Sequence, residues 1–147
     1  MREILFRGMN ENAEWIEGCL ITAPNYTCIL QDEDAVHPMD YPYLDGEMGT
    51  FDGKATPVNP ETVCQFTGLT DKNGVKIFEG DIVEGLFLFG MSINAVATFK
   101  DGSFGLKWYR GSIEEFSAFS CFHNVTFEVI GNIFDNSELM EGGVEND

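Results

Sequence analysis

Four cysteines and two histidines are the side chains best suited to chemistry: Cys19, Cys28, Cys64, Cys121, His37 and His123. A structural zinc site draws its ligands from closely spaced pairs, such as Cys-x-x-Cys or His-x-x-x-His, so that one turn presents two donors. No pair in this chain has that spacing. The cysteines therefore read as buried thiols that pack as small hydrophobes. Cys121 and His123 stand two residues apart and would share a face of a strand, as a thiol and its base must. The surroundings are acidic and supply neither a cation nor a helix N-terminus to lower the thiol pKa. Catalysis by this pair is not expected.

Carboxylates are the other chemical resource. Asp32-Glu33-Asp34 has the charge for a calcium or magnesium site. It lacks the glycine and the distal glutamate that shape a calcium loop, and reads as a solvated acidic loop. Residues 49–54 are similar to a phosphate-binding loop, but the run is one residue short and Ala55 replaces the hydroxyl that would hold magnesium. Glu114-Glu115 and Glu79 with Asp81 are paired acids, which twenty-five carboxylates produce by coincidence. A glycosidase would also need aromatic platforms across a cleft. Trp15, Trp108 and Tyr109 read instead as core or rim packing. Lys107-Trp108-Tyr109-Arg110 interleaves rings and cations as single-strand nucleic-acid sites do, without the wide basic groove such sites need. Neighbouring acids are expected to meet those two cations. No catalytic, cofactor or metal residue is assigned, no cofactor is expected, and the partner-binding residues stay open.

The charge balance narrows the partners. Eight basic against twenty-five acidic residues give −17, divided almost evenly as −9 over residues 1–64 and −8 over residues 65–147. An evenly spread negative surface repels nucleic acid and attracts basic partners. A chain of 147 residues suits one domain and buries enough surface to need no staple. No stretch has the length of a membrane span, and the N-terminus, with Arg2 and Arg7, lacks a signal peptide's apolar run. The expected home is the cytoplasm of a bacterial cell, where cysteines stay reduced.

The elements that would position these residues read as strands. Residues 3–7, 14–22 and 26–30 are β-prone, with turns at Asn10-Glu11-Asn12 and Pro24-Asn25. Residues 31–53 form a long loop. Asn59-Pro60 suggests the N-cap and first position of a short helical turn. Next comes the centre of the chain. Runs at 64–67 and 75–78 flank Asn73-Gly74, a dipeptide suited to positive φ at both central positions of a hairpin turn. Glu79-Gly80-Asp81 then launches residues 82–89. Strands follow at 93–100 and 104–109 around Asp101-Gly102, and a last one at 125–130. Residues 113–122 fit a short helix nearly as well as a loop, and Ser137 suits the cap of a brief terminal turn. Hairpins at this spacing indicate a mainly β protein, a small barrel or roll.

Three separated segments carry a family resemblance. They are the opening Met-Arg-Glu-Ile-Leu-Phe-Arg-Gly with Glu14-Trp15-Ile16-Glu17-Gly18, the central residues 65–84 preceded by Asn59-Pro60-Glu61-Thr62-Val63, and the late Gly131-Asn132-Ile133-Phe134-Asp135-Asn136-Ser137-Glu138-Leu139. In that order they resemble the YopX family, small proteins of bacteriophages and prophages with no established activity. Phe66 and Phe134 stand where tyrosine is usual and Ser137 where proline is common. Both phenylalanines keep the ring and lose the hydroxyl, so the ring packs rather than reacts. The resemblance implies an SH3-like barrel at about 65–135, after an N-terminal β part at about 1–64, within one domain of residues 1–140. Residues 141–147 would be a flexible acidic tail.

The expected function is a phage accessory role, exercised by non-enzymatic binding of a host or phage protein, basic in character. Direct contact with nucleic acid or membrane is not expected. The alternatives are a DNA mimic that occupies a host enzyme's cationic groove, a homo-oligomer joined through exposed sheet edges, and an enzyme of unrecognised type.

Overall fold

The computed structural model describes residues 4–31, 55–88, 91–121 and 127–140, and of residues 86–88 and 91 the backbone alone. Eleven strands appear among them: β1 (Phe6–Met9), β2 (Trp15–Ala23), β3 (Tyr26–Leu30), β4 (Ala55–Pro57), β5 (Asn59–Thr70), β6 (Lys76–Phe78), β7 (Asp81–Leu88), β8 (Met91–Lys100), β9 (Ser103–Arg110), β10 (Ile113–Ala118) and β11 (Glu128–Asn132). Two 3-10 turns, Phe119–Cys121 and Ser137–Leu139, are the helical elements among the described residues. The protein is mainly β and every ladder is antiparallel. The chain divides into two units, Met1–Gln65 and Phe66–Asp147, and β5 runs across the division.

In the first unit β1 lies between β2 and the first half of β5, with β3 on β2 and β4 on β3. Cys28, Ile29 and Leu30 are consecutive and fully buried, so β3 is covered on both faces. Two glycines permit this packing. A Cβ on Gly18 would lie 2.2 Å from the carbonyl oxygen of Leu30, and one on Gly8 would lie 2.8 Å from a methyl of Val58. Asn10 builds the β1–β2 turn by accepting the N–H groups of Asn12 and Glu14, each at 2.9 Å.

The second unit is a five-stranded sheet in the order β10-β9-β8-β7-β11. Ile93, Ala95 and Ala97 alternate inward along β8 and meet Val83, Leu106, Trp108, Ile77 and Phe127 in one core. Gly105 is buried beneath the ring of Phe116, the covering of a bare strand position by an aromatic neighbour.

Four expectations need correction. The described strands form open sheets rather than a closed barrel, because β10 and β11 end the order instead of pairing with each other. Asn59-Pro60 starts no helix: Asn59 Oδ1 accepts the Glu61 N–H at 3.0 Å and Thr62 Oγ1 donates to Asn59 O at 2.7 Å, local turn bonding set within strand β5. Residues 113–118 are strand β10, because Gly111, at φ +64, folds them back onto β9. At Asn73-Gly74 only the glycine has positive φ (+84), since the strands rejoin at Thr70 and Lys76 and leave a five-residue loop. Asp101-Gly102 does adopt positive φ at both positions, +53 and +84, and closes the β8–β9 hairpin. Residues 32–54, which include the long loop's acidic cluster, His37 and the loop similar to a phosphate site, lie outside the described residues, as do His123 and the tail.

Candidate functional site

The chemically able side chains are dispersed. Cys28 and Cys64 are buried, Cys19 is half-buried and Cys121 is exposed on its 3-10 turn; all four are thiols rather than disulfides. Burial pushes the Cys28 thiol up, toward its neutral form. Cys64 Sγ sits 3.2 Å from the carbonyl oxygen of Thr62. Among the described residues no three histidine, cysteine or acidic side chains gather as metal ligands. Trp15 lies under the guanidinium of Arg7, 4.5 Å from the ring centroid.

Glu114 and Glu115 do not work as a pair. They follow β10's alternation onto opposite faces, and each meets the partner that the β9–β10 register sets opposite it. Glu115 accepts the Trp108 indole N–H at 3.1 Å and pairs with Arg110, while Glu114 lies 3.5 Å from the Tyr109 hydroxyl and 3.6 Å from Lys100. Lys107 rests over the Tyr109 ring at 5.9 Å. The stretch of rings and cations is thus satisfied within its own sheet. Glu115's double duty was hidden in the sequence, because it follows from register.

Of the second pair of acids, Glu79 is half-buried and Asp81 buried. Asp81 is buried and accepts the Phe78 N–H at 2.8 Å, closing the turn before β7. Gly80, at φ +88, donates to Ala97 O at 2.8 Å and accepts from Ile133 N–H at 2.9 Å. The late segment is tied to the central one through that glycine.

The strongest polar arrangement is centred on Asp71. Its Oδ1 accepts the N–H groups of Asn73 (2.8 Å) and Val75 (2.9 Å), and its Oδ2 accepts that of Val129 (2.9 Å). Burial alone would raise its pKa; three backbone donors and the Lys72 ammonium outweigh burial and hold it below the usual carboxylate value. Asn132 does the equivalent work at the end of β11. Its Oδ1 accepts from Phe134 and Asp135 N–H, both at 2.9 Å, and its Nδ2 donates to Asp135 Oδ2 at 3.1 Å. Gly131 is required beside it, since a Cβ there would lie 2.6 Å from Asn136 Oδ1. The sequence marks Asn73-Gly74 as a turn and Ser137 as the cap of a brief terminal one, where the structure places Asn136 at the cap, and it assigns Asp71 and Asn132 no task.

Residues 6–141 match the family model described as YopX protein. The chain belongs to the YopX family. In this YopX chain the polar groups of Asp71, Asp81 and Asn132 close turns, and Asp71 joins β11 to the central loop. A crystal structure of protein EF1440 from Enterococcus faecalis is similar to it, with a TM-score of 0.55 at 22% identity, covering 96% of this chain and 100% of that one. That likeness concerns the fold alone. No curated protein matches the chain. No described helix is long and apolar enough to cross a membrane.

Proposed function

We propose that this YopX protein is a phage or prophage accessory protein that acts by binding another protein, without turnover, in the cytoplasm of a bacterial host. The observation that supports this best is how the polar groups of the central and late segments are used. Asp71, Asp81 and Asn132 accept backbone N–H groups and close turns. Other acids face solvent in both units, among them Glu11, Glu17 and Glu61 in the first and Glu84, Asp135 and Glu138 in the second. A field of −17 spread in this way favours a basic partner. The SH3-like description of the second unit belongs to the same proposal. It is supported by the meander β7 to β10, to whose first strand β11 returns, and SH3-type surfaces are peptide-binding.

The test is affinity purification of the tagged protein from lysogenic or infected cells, with mass spectrometry of what accompanies it. A phage or host protein enriched at both low and moderate salt is the expected result. Absence of any enriched protein at either salt overturns the reading. If the enriched protein is a nucleic-acid enzyme from which this chain displaces DNA, with steep salt dependence, the mode of binding is DNA mimicry.

A further inference from the structure

The geometry points to strand β10 as the place where a second copy of this chain pairs, edge to edge and antiparallel about a two-fold axis, joining two five-stranded sheets into one. This self-association goes beyond the binding of another protein proposed above and is tested independently of it.

A sheet edge is a row of backbone donors and acceptors, which proteins keep short, covered or charged. The described strands have four such ends, β4 and β6 in one order and β10 and β11 in the other. β4 and β6 are three residues each, and β4 closes on Pro57. At β11 the edge is occupied: Val129 N–H goes to Asp71 Oδ2 and, just ahead of the strand, Phe127 O takes the Lys72 N–H at 3.0 Å. β10 has six residues and no such cover among the described residues. Arg110 and Ile113 face each other across the two-residue turn Gly111-Ser112 and so exchange both hydrogen bonds. Alternation then sends the N–H and C=O groups of Glu114, Phe116 and Ala118 away from β9. The side chains do not screen them. Glu114 reaches back to Lys100 on β8, Glu115 to Trp108 on β9, and the Phe116 ring lies over Gly105 on β9.

Charge and register select the occupant. From Gly85 to Phe127 three cations, Lys100, Lys107 and Arg110, balance three carboxylates, Asp101, Glu114 and Glu115. A chain of −17 is therefore neutral over the strands beside this edge. A basic partner gains little here, whereas a like-charged copy approaches with least repulsion. A two-fold axis at Phe116 engages all three outward residues, Phe116 with Phe116 and Glu114 with Ala118 in both directions, for about six hydrogen bonds. It sets Glu115 opposite Ser117, so no carboxylate faces its own copy. An axis at Glu115 would engage only Glu114 and Phe116 and set Glu115 against Glu115. The axis at Phe116 also brings Ile113, 60% exposed and on the face of Trp108, beside Phe119 of the second copy.

Paired edge strands make a small interface, so the dimer is expected at high concentration and dissociates on dilution. The test is sedimentation equilibrium of the full chain up to about 1 mM, at low and moderate salt, with hydrogen exchange of the backbone amides at both ends of the concentration range. A monomer–dimer equilibrium that tightens as salt screens the −17 on each copy is the expected result. The amides of Glu114, Phe116 and Ala118 should exchange quickly in dilute solution and slowly in concentrated solution. That of Val129, already bonded to Asp71, should not change. Ala118→Glu sets a carboxylate against Glu114 of the second copy at both ends of the strand pair and should weaken the dimer about fivefold or more. Ala118→Lys should associate at least as tightly as the parent. The same two changes at exposed Asn12, in the β1–β2 turn, control for net charge and should differ by about twofold or less. A monomer at every concentration overturns the proposal. So does a dimer in which those three amides exchange as fast as in the monomer, or one that Ala118→Glu and Ala118→Lys affect alike. Should Ala118→Glu fail to fold, amide exchange in the parent decides.

Discussion

The carboxylate of Asp71 accepts the backbone N–H of Val129 at 2.9 Å, across fifty-eight positions of sequence. The same side chain takes the N–H groups of Asn73 and Val75, so one residue shapes the central loop and fastens it to β11. Asp71→Asn presents an amide donor to at least one of these three N–H groups. The expected loss is about 1–3 kcal/mol, read from urea unfolding at neutral pH.

The acid dependence of stability should change in the same variant. The folded-state pKa of Asp71 is depressed, so its contribution is fully present above the unfolded-state value and is lost as pH falls through the lower folded one. The difference in stability between the parent and Asp71→Asn should therefore shrink on acidification below about pH 4. A difference unchanged between pH 7 and strongly acidic conditions would mean that the carboxylate's charge contributes nothing.

Glycine substitutions should divide by cause. Gly18→Ala drives a methyl into the Leu30 carbonyl and Gly131→Ala drives one into Asn136 Oδ1. Each should cost about 1–3 kcal/mol, with Gly18 at the upper end because backbone rather than a side chain must yield. Gly102→Ala meets nothing within 4 Å and has only its φ of +84 against it, so about 1 kcal/mol is expected. Thermal unfolding of the three proteins tests the ranking.

Thiol labelling should follow burial. Cys121 should react with a disulfide reagent in the native protein, Cys19 more slowly, and Cys28 and Cys64 only on unfolding. Raising the pH should accelerate labelling of Cys28 little, because burial disfavours its thiolate. Peptide mapping after brief labelling gives the order.

How much of this was legible in the sequence depended on distance along the chain. Asp101-Gly102 announces its own hairpin because everything that turn needs lies within four residues. Asn73-Gly74 carries as strong a local signal and misleads about detail: the strands around it rejoin too far apart for a two-residue turn, and the decisive donor, Val129, is distant. Asn59-Pro60 likewise has the chemistry of a helix start, and pairing of Asn59 with Met9 on β1 overrides it. Residues 113–118 were ambiguous because their apolar spacing suits more than one period, and cross-strand partners such as Glu115 for Trp108 settled it. For the late turn at residues 131–138, the segment is visible as a motif. That Asn132 would turn in and Phe134 out is not, because it depends on which groups the turn needs for itself.

The bond between Asp71 and Val129 also bears on how the protein is made. A ribosome releases the chain from its N-terminus, and every strand pair of the first unit is available once Gln65 has emerged. The second unit has to wait for β11. Until Val129 leaves the exit tunnel, Asp71 lacks one of its three donors and β7 has a naked edge. A nascent chain halted before Glu128 should therefore be cut by protease beyond Phe66 more readily than within β1 to β3.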